Sequence, residues 1–551
     1  MSNKKRVLFV TETQKLSSGF GVYSKEILSR IHKTGKYEMA EFACYAAPDS
    51  FDDTNWLVYC NGPMSNEPEY NKEHTDNPAI QWGVVRFERA CLDFKPDIVV
   101  AYRDPWMDAY IADSPFLPFF HWVWMPTIDS EPQKLEWLYQ SFNRCDGLLA
   151  YSEYGIRTLE KQTHGRMKPF GCASPAINGD VFKMITNKEK HKKDLGLPAD
   201  SFIVGTVMRN QKRKLFPDLM VSFKEFIDTA PPEIAQKSYL YLHTNYPERQ
   251  GWDITSLIHE YGIGSKVLCT YTCQNCKKFF CSHYRDALTV CDHCQSYGAV
   301  LPGVSNGVTT EDLVQIYNLM DLYVQYAICE GFGMPQVEAA ACGVPIAAID
   351  YSAMEDVVKN VDGYPIPPTL SRELETNADR SGPNNTALVA AMTSCSKQNK
   401  EKRNKQRLMT RKRCLDRYTW DNAAKVWEDY LDKVVKKDKE GEWDGPPIMQ
   451  PIPNDPPKSL SNPQFAEWIC MQLIQDPYSA FNYRMLSMIR HLNFGASFGP
   501  GHLTPCNQEV IYEEYKQLAQ RRYMFDSLRC GIVQEPTPHM YITEAHKRLK
   551  K

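Results

Sequence analysis

Two series of short apolar runs, each run followed by a segment long enough for a helix, constrain the fold of this chain most strongly. The first series occupies residues 6–10, 97–102, 119–124 and 147–151, and the second occupies residues 202–207, 239–243, 321–326 and 344–349. Such runs, separated by polar helix-length segments, are typical of strands buried on both faces of a parallel sheet. The pattern predicts an α/β protein with two Rossmann-like, doubly wound halves.

The chain is too long for one core, because its 551 residues exceed the size of an ordinary domain. We predict an N-terminal domain over residues 1–180 and a C-terminal domain over residues 181–436. Prolines crowd the segment that follows, which predicts a linker over residues 437–463. Helical apolar periodicity over residues 465–492 and 509–528 predicts a small helical appendix over residues 464–551.

The composition is that of a soluble globular protein, with 43% hydrophobic and 24% charged residues. No apolar stretch is long enough to span a bilayer, and the chain start lacks a signal-peptide core, so we expect a cytoplasmic location. The formal charge of -3 gives no global attraction to nucleic acid or anionic lipid. Only a local patch could provide it. The basic stretch over residues 397–417 is the candidate, although such runs are usually solvated helix faces.

Four cysteines form two CxxC pairs separated by fourteen residues: Cys273, Cys276, Cys291 and Cys294. This spacing lets four thiolates meet around one tetrahedral zinc ion, and it predicts a structural zinc ribbon over residues 269–298. Spare donors lie nearby, namely Cys269, Cys281, His283 and His293. The ribbon is interpreted either as a stapled loop that shapes a binding entrance or as a nucleic-acid contact.

An acidic turn lies between two of the apolar runs. Glu330 and Glu338 flank a glycine-bearing turn that leads into a helix, and the turn contains Gly331, Phe332, Gly333 and Met334. Glycines let a backbone approach a ligand closely, and helix starts bind phosphate or sugar oxygens. Because ligands of parallel α/β sheets bind at the carboxyl ends of strands, the turn is a candidate site. The alternative is a helix cap and a solvated glutamate.

This segment resembles the signature of the retaining, family-4 type of nucleotide-sugar glycosyltransferases, in which two glutamates are separated by seven residues. The resemblance covers residues 6–436 and implies the GT-B architecture, with two Rossmann-like domains facing across a cleft. It implies a nucleotide diphosphate sugar as donor, retention of anomeric configuration and no catalytic metal. Glu330 would face the donor sugar and Glu338 the ribose hydroxyls. A final helix, over residues 418–427, would return to the first half.

A basic loop follows the run at residues 202–207. Negative charge builds on the departing diphosphate during sugar transfer, so fixed cations must meet it. Arg209 and Lys214 resemble the family's arginine and lysine pair that holds the donor phosphates. Lys212 and Arg213 are alternatives, because the register within the loop is open.

The first half offers a glycine loop and one candidate carboxylate. Gly19, Phe20 and Gly21 match the family's glycine loop that faces the diphosphate, ahead of a helix predicted to begin at Ser24. A tight turn alone would explain the glycines. The family's catalytic histidine has no clear equivalent, because His121 lies inside a strand-like run. Asp129 is the candidate for orienting the acceptor.

The sequence therefore predicts a retaining glycosyltransferase whose acceptor is open: a glycan, a protein, a small molecule or a hydroxylated DNA base. Two other classes stay open. One is a catalytically idle GT-B scaffold that acts through its ribbon as a protein- or nucleic-acid-binding module, and the other is a sugar-nucleotide epimerase. The donor base, the sugar, the oligomeric state and the purpose of the appendix are not predicted.

Overall fold

The computed structural model describes residues 4–47, 54–64, 67–114, 116–135, 137–285, 289–303, 306–374, 376–437, 459–475, 488–489, 492, 507–517 and 519–520. Within these ranges no helix combines the length and the apolar character that crossing a bilayer requires. Most of the predicted linker lies outside the described residues.

The first half is built on one parallel six-stranded sheet. Its strands are β1 (Lys5–Glu12), β2 (Tyr37–Cys44), β3 (Leu57–Cys60), β4 (Ile98–Ala101), β5 (His121–Trp124) and β6 (Gly147–Leu148). Its helices are α1 (Gly19–Lys33), α2 (Pro68–Asp76), α3 (Pro78–Trp82), α4 (Phe87–Phe94), α5 (Pro105–Asp108) and α6 (Glu153–Gln162). The strand order β3-β2-β1-β4-β5-β6 reverses direction between β1 and β4. That switch point is where doubly wound sheets bind ligands.

The second half repeats the same topology. Its strands are β7 (Phe202–Val207), β8 (Ser238–His243), β9 (Val267–Cys273), β10 (Phe279–His283), β11 (Thr289–Val290), β12 (Tyr297–Val300), β13 (Leu322–Gln325), β14 (Ile346–Ile349) and β15 (Tyr364–Ile366), with a separate hairpin of β16 (Thr369–Arg372) and β17 (Asp379–Gly382). The parallel order is β9-β8-β7-β13-β14-β15. Strands β10 and β12 add to β9 in antiparallel fashion.

The helices of the second half are α7 (Lys188–Asp194), α8 (Phe216–Thr229), α9 (Pro232–Ala235), α10 (Ile254–Glu260), α11 (Thr310–Leu319), α12 (Met334–Ala341), α13 (Ala353–Asn360), α14 (Asn385–Ser396), α15 (Lys400–Arg417) and α16 (Trp420–Lys433). Helix α16 returns to the first half, where the Trp427 indole donates a hydrogen bond to the Tyr23 hydroxyl at 2.7 Å. The predicted architecture of two doubly wound halves is confirmed.

Several predicted boundaries were wrong. Helix α1 begins at Gly19 and not at Ser24, because the Ser18 hydroxyl caps it by accepting the Gly21 N–H at 3.0 Å. The run at residues 119–124 becomes a strand only from His121, after a 3-10 turn over Leu117–Phe119. Helix α16 begins at Trp420, two residues later than predicted, with Thr419 as its cap.

The C-terminal appendix has a small core of its own. Helix α17 (Asn462–Gln475) contributes Phe465 and Ile469, and these pack with Met488, Ile489, Ile511, Tyr512 and Tyr515. The rest of the predicted helices over residues 465–492 and 509–528 lies mostly outside the described residues. The proposed domain boundaries stay predictions.

Candidate functional site

The acidic turn leads from β13 into α12 and has little room for side chains at its glycines. A Cβ on Gly331 would collide with the Thr127 methyl group of the first half. Gly333 adopts a left-handed conformation with φ 84° and precedes the first turn of α12, where Met334 is half-buried. The glycines thus bring the second half into direct contact with the loop that follows β5.

Glu330 is buried at 6% exposure and is surrounded by donors. Its carboxylate accepts from Arg213 Nη1 at 2.7 Å and from Gln325 Nε2 at 2.6 Å, and it forms an ion pair with Lys214 Nζ. Its own N–H donates to the Ser352 hydroxyl at 3.0 Å. A buried carboxylate with this many donors is held in one orientation.

Two of the four predicted cations reach this carboxylate. Lys214 is buried at 5% exposure, and Arg213 is partly exposed beside it. Arg209 instead has a 54% exposed side chain and pairs with Glu248 at 3.0 Å, while Lys212 is exposed. The loops after β7 and β13 therefore converge through Arg213 and Lys214. Arg209 does not join that cluster.

Glu338 lies inside α12, away from that cluster. Its carboxylate accepts a hydrogen bond from the Tyr317 hydroxyl at 2.6 Å, and burial raises its pKa to about 7. Phe332 is also buried, with its ring edge-on to Tyr418 at 5.7 Å between centroids. The Phe332 side chain is therefore core, and only its backbone is available to a ligand.

The predicted glycine loop of the first half is the first turn of α1. A Cβ on Gly21 would collide with the Leu16 carbonyl oxygen, whereas a Cβ on Gly19 would meet nothing within 4 Å. Phe20 packs against Tyr151, with 6.3 Å between ring centroids. Gly21 is thus required by the turn itself, while Gly19 borders open space at a helix N-terminus, where anions bind favourably.

Asp129 connects the two halves. Its carboxylate lies 3.2 Å from Arg380 Nη1 and accepts from the Cys329 thiol at 3.3 Å. Arg380 belongs to β17, and the same hairpin donates the Asp379 N–H to the Glu131 carbonyl at 2.7 Å. Sequence reasoning missed Arg380, because the polar hairpin carries no recognisable pattern.

His121 is structural. It stands at the amino end of β5, opposite the edge that carries the acidic turn, and its Nε2 lies 2.9 Å from the Tyr430 hydroxyl. Burial lowers the pKa of this imidazole. The position excludes His121 from the chemistry at the carboxyl ends of the strands.

A second carboxylate of the first half escaped sequence reasoning. Asp104 follows β4 at the switch point, beside Asp129, Asp108 and Glu12. Burial and these three carboxylates raise its pKa to about 7. An acidic residue two positions after the strand-like run at residues 97–102 was the available signal.

The four cysteines of the ribbon come together. Their sulfur atoms lie within 4.8 Å of one another, with 3.6 Å between Cys273 and Cys294 and 3.7 Å between Cys276 and Cys291. Zinc–sulfur bonds of about 2.3 Å give a tetrahedron with edges of about 3.8 Å, so this donor set fits zinc. Backbone N–H groups of Cys276 and His293 point at the sulfur atoms of Cys273 and Cys291, each at 3.4 Å.

Among the described residues, the cluster of potential ligand atoms does not include the spare donors. The Cys281 sulfur lies 3.0 Å from the Tyr241 hydroxyl, and His293 Nε2 lies 3.0 Å from the Phe279 carbonyl oxygen. Cys269 is buried in β9, and His283 ends β10. The ligand choice of Cys273, Cys276, Cys291 and Cys294 therefore needs no change.

Residues 303–380, which include the acidic turn, match the family described as Glycosyl transferases group 1. Sucrose-phosphate synthase from Thermosynechococcus elongatus is similar in structure, with 14% identity, a TM-score of 0.55, and coverage of 78% of this chain and 99% of that chain. A glycosyltransferase from Rickettsia africae gives 14% identity, a TM-score of 0.54 and the same two coverages.

The Anabaena protein Alr3699/HepE in complex with UDP gives 15% identity and a TM-score of 0.52, covering 78% of this chain and 100% of that chain. No curated protein matches the sequence. The structural similarity defines the fold as GT-B. The family match and the fold together support a glycosyltransferase.

Proposed function

We propose that the chain transfers a sugar from a nucleotide diphosphate sugar to an acceptor hydroxyl, with retention of anomeric configuration. The observation that carries the proposal is the convergence of Arg213 and Lys214 on Glu330, at the carboxyl ends of the adjacent strands β7 and β13. Cations fixed beside a glycine-bearing helix start suit a diphosphate. The match of residues 303–380 to group 1 glycosyl transferases supports the same reading.

In the proposed reaction, the bond between the anomeric carbon and the diphosphate oxygen breaks, and the acceptor oxygen bonds to the same face of the sugar. The acceptor proton passes to the departing phosphate oxygen. Arg213 and Lys214 meet the charge that develops there, each worth about 4 kcal/mol before desolvation at 4 Å and intermediate dielectric. Because these two cations carry that role, catalysis needs no bound metal.

The remaining groups are proposed to hold the donor. Glu330 fixes the two cations and faces the donor sugar, while Glu338 accepts hydrogen bonds from the ribose hydroxyls. Arg209 and the backbone of Gly331, Gly333 and Met334 contact the donor phosphates. Gly19, Phe20 and Gly21 contribute the start of α1 from the opposite half. Asp129, with Arg380 as its partner, forms part of the acceptor-side wall.

Zinc is proposed to be structural. Four thiolates leave no coordination position for water or substrate, so the ion would hold the two CxxC segments of the ribbon together at the end of β9. The first CxxC pair begins at the carboxyl end of β9, on the same sheet edge as the basic loop after β7. This position favours a stapled loop near the cleft entrance.

The basic stretch over residues 397–417 gives little support to a nucleic-acid acceptor. The arginines of α15 are engaged within the protein: Arg411 binds the Phe182 carbonyl at 2.6 Å, Arg413 pairs with Asp362 at 2.9 Å, and Arg417 pairs with Glu153 at 3.2 Å. A helix whose arginines serve packing has few left for phosphates.

A thermal-shift screen over nucleotide diphosphate sugars tests the proposal, because a bound ligand stabilises the folded state with the logarithm of its saturation. UDP-glucose is the first probe, since one structural neighbour was solved with UDP. The stabilising donor is then incubated with the protein, and NMR follows the products. Release of nucleoside diphosphate with an α-linked product from an α-linked donor is expected.

Other outcomes would contradict the proposal in recognisable ways. Binding without turnover would indicate an idle scaffold, and an epimerised donor without diphosphate release would indicate an epimerase. Asp228→Asn serves as the matched control, because Asp228 is exposed and pairs only with Lys224 of its own helix among the described contacts. This control should retain both binding and turnover.

A further inference from the structure

Two buried polar residues, Gln325 and Ser352, bind Glu330 from the protein interior. Gln325 ends β13 and is 1% exposed, and Ser352 precedes α13 and is fully buried. Gln325 binds the Glu330 carboxylate at 2.6 Å, and Ser352 binds the Glu330 main-chain N–H at 3.0 Å. Neither side chain is placed to touch a bound substrate, so any effect on the reaction must pass through Glu330.

The Gln325 amide has both of its ends fixed. The Tyr323 hydroxyl donates to Gln325 Oε1 at 2.5 Å, which leaves the amide nitrogen to donate to Glu330 Oε1 at 2.6 Å. A buried amide is costly unless its oxygen and its nitrogen are both hydrogen-bonded. Because Tyr323 is fully buried as well, the amide presents only its nitrogen to Glu330.

The Glu330 carboxylate carries this orientation to the basic loop after β7. Its Oε1 accepts from Gln325 and forms an ion pair with Lys214 Nζ, and its Oε2 accepts from Arg213 Nη1 at 2.7 Å. Three donors of the protein thus occupy a group that offers about four acceptor positions. Rotation of the carboxylate would displace both cations that the proposed reaction uses.

Ser352 departs from ordinary helix-start geometry in two ways. It is the N-cap residue of α13, yet its hydroxyl makes no capping hydrogen bond and accepts the Glu330 N–H instead. Serine at this position normally stabilises the helix by capping it. The Ser352 backbone also has φ 54°, in the left-handed region that favours glycine. Strained backbone of this kind clusters at functional sites, where the surrounding contacts hold it.

The same loop holds the Glu330 main chain from both sides. The Ala353 N–H donates to the Glu330 carbonyl oxygen at 3.4 Å, while the Ser352 hydroxyl accepts the N–H of the same residue. The loop after β14 therefore fixes the Glu330 backbone, and Gln325 fixes its side chain. Together they determine where Glu330 holds the cations of the basic loop.

We propose that Gln325 and Ser352 are positioning residues for sugar transfer. The inference rests on the proposed function and adds two residues that act on the reaction only through Glu330. They keep its carboxylate, and with it Arg213 and Lys214, where charge develops on the departing diphosphate. Preorganised charges act mainly in the transition state, and a misplacement of about 1 Å can cost about 100-fold in rate. Loss of either residue lowers kcat more than it weakens nucleotide binding.

Ser352→Ala and Ser352→Gly separate this role from a structural one. Both remove the hydroxyl, but only glycine also relieves the positive φ, so Ser352→Gly should melt at a higher temperature than Ser352→Ala. Both should lower kcat about 10-fold, because both free the Glu330 main chain. The dissociation constants of UDP and GDP in titration calorimetry should stay within about 2-fold of the wild type.

The rate is the release of UDP or GDP by the full chain from UDP-glucose, UDP-N-acetylglucosamine or GDP-mannose, with water as the acceptor. His164→Gly is the matched control for the relief of strain. His164 is exposed, has φ 52° and lies in the turn after α6. This control should not lower the melting temperature and should keep the wild-type kcat.

Gln325→Glu gives a second readout, the pH profile. A protonated carboxyl group at position 325 can accept from Tyr323 and donate to Glu330 as the amide does, whereas a carboxylate there repels Glu330. The rate of the variant relative to the wild type should therefore fall at least about 10-fold as the pH rises from about 5 to about 8. Tyr323, Glu330, Arg213 and Lys214 are present in both proteins, so the ratio of the two rates isolates the new carboxyl group.

Each alternative outcome has one meaning. A kcat that follows the melting temperatures of the two Ser352 variants, or that stays at the wild-type value in both, would overturn the role of Ser352. A ratio of rates that does not change with pH would overturn the role of Gln325. A wild-type protein that neither binds UDP or GDP nor releases them from any of the three donors would instead overturn the proposed function, and this inference with it.

Discussion

Replacing Glu330 by glutamine should destabilise the second half severely, although the change is isosteric. The side chains of Glu330 and Lys214 are each 7% exposed and form an ion pair, so the substitution leaves an ammonium group buried without its counter-charge. Removal of one partner from a buried pair costs about 3–5 kcal/mol. Arg213, 40% exposed, adds at most about 1 kcal/mol.

The loss is large enough to read from a melting curve. For a domain of about 150–250 residues, each kcal/mol shifts Tm by about 2–4 °C, so a loss of about 3 kcal/mol corresponds to a fall on the order of 6–12 °C. Lys214→Met alone should cost less than Glu330→Gln, because Glu330 keeps Arg213 and Gln325 as partners. The double variant, Glu330→Gln with Lys214→Met, has neither of the two buried charges. Its loss of unfolding free energy should be smaller than the sum of the two single losses by about 2 kcal/mol.

Differential scanning calorimetry of the four proteins without nucleotide completes the cycle, with Asp228→Asn as a surface control. That control should shift Tm very little, because its ion pair with Lys224 is exposed. Two results would refute the reasoning: a Glu330→Gln melting point within about 1 °C of the wild type, or strictly additive losses in the double variant. Either would mean that the buried pair is not held as described.

Three further predictions concern other residues. Because the pKa of Glu338 is raised to about 7, the folded state keeps a proton that the unfolded state releases. The free energy of unfolding should therefore fall by up to about 3 kcal/mol between pH 4 and pH 7. In calorimetry Glu338→Gln should abolish this fall, and a variant with the wild-type pH profile would contradict the prediction. Mass spectrometry should find about one zinc ion per chain. Cys276→Ser should lose the zinc, and its ribbon should be cleaved faster by proteases. A Cys276→Ser variant that retains zinc would count against the four-thiolate site. Arg213→Ala should weaken nucleoside diphosphate binding more than Arg209→Ala does, by about 10-fold in calorimetric titration, and the reverse order would restore Arg209 as the main phosphate ligand.

The sheets could be predicted from the sequence because strands buried on both faces read as continuous apolar runs. Residues 7–10 of β1 and residues 203–204 of β7, for instance, are fully buried. Element ends were less predictable, since local capping decides them. The Ser18 cap starts α1 five residues earlier than the apolar pattern does. The β16–β17 hairpin gave no signal, because much of β16 is exposed and neither strand alternates.

The cations of the site show where sequence reasoning stops. Four basic residues occur within six positions, and nothing local distinguishes them. The structure selects two, because the Arg213 carbonyl accepts the Ile328 N–H at 2.9 Å and Lys214 bridges to Ala327. These backbone contacts pin the loop against the segment after β13 and direct both side chains to Glu330. Such a contact joins residues more than a hundred positions apart and leaves no periodicity.

The central claim is that Arg213, Lys214 and Glu330 form a site for the diphosphate of an activated sugar. Titration calorimetry of UDP, GDP, ADP and the corresponding nucleosides with the wild type and Arg213→Ala tests it most directly. At least one diphosphate should bind much more tightly than its nucleoside, and Arg213→Ala should remove most of that difference. No diphosphate binding, or equal binding by the variant, would contradict the account.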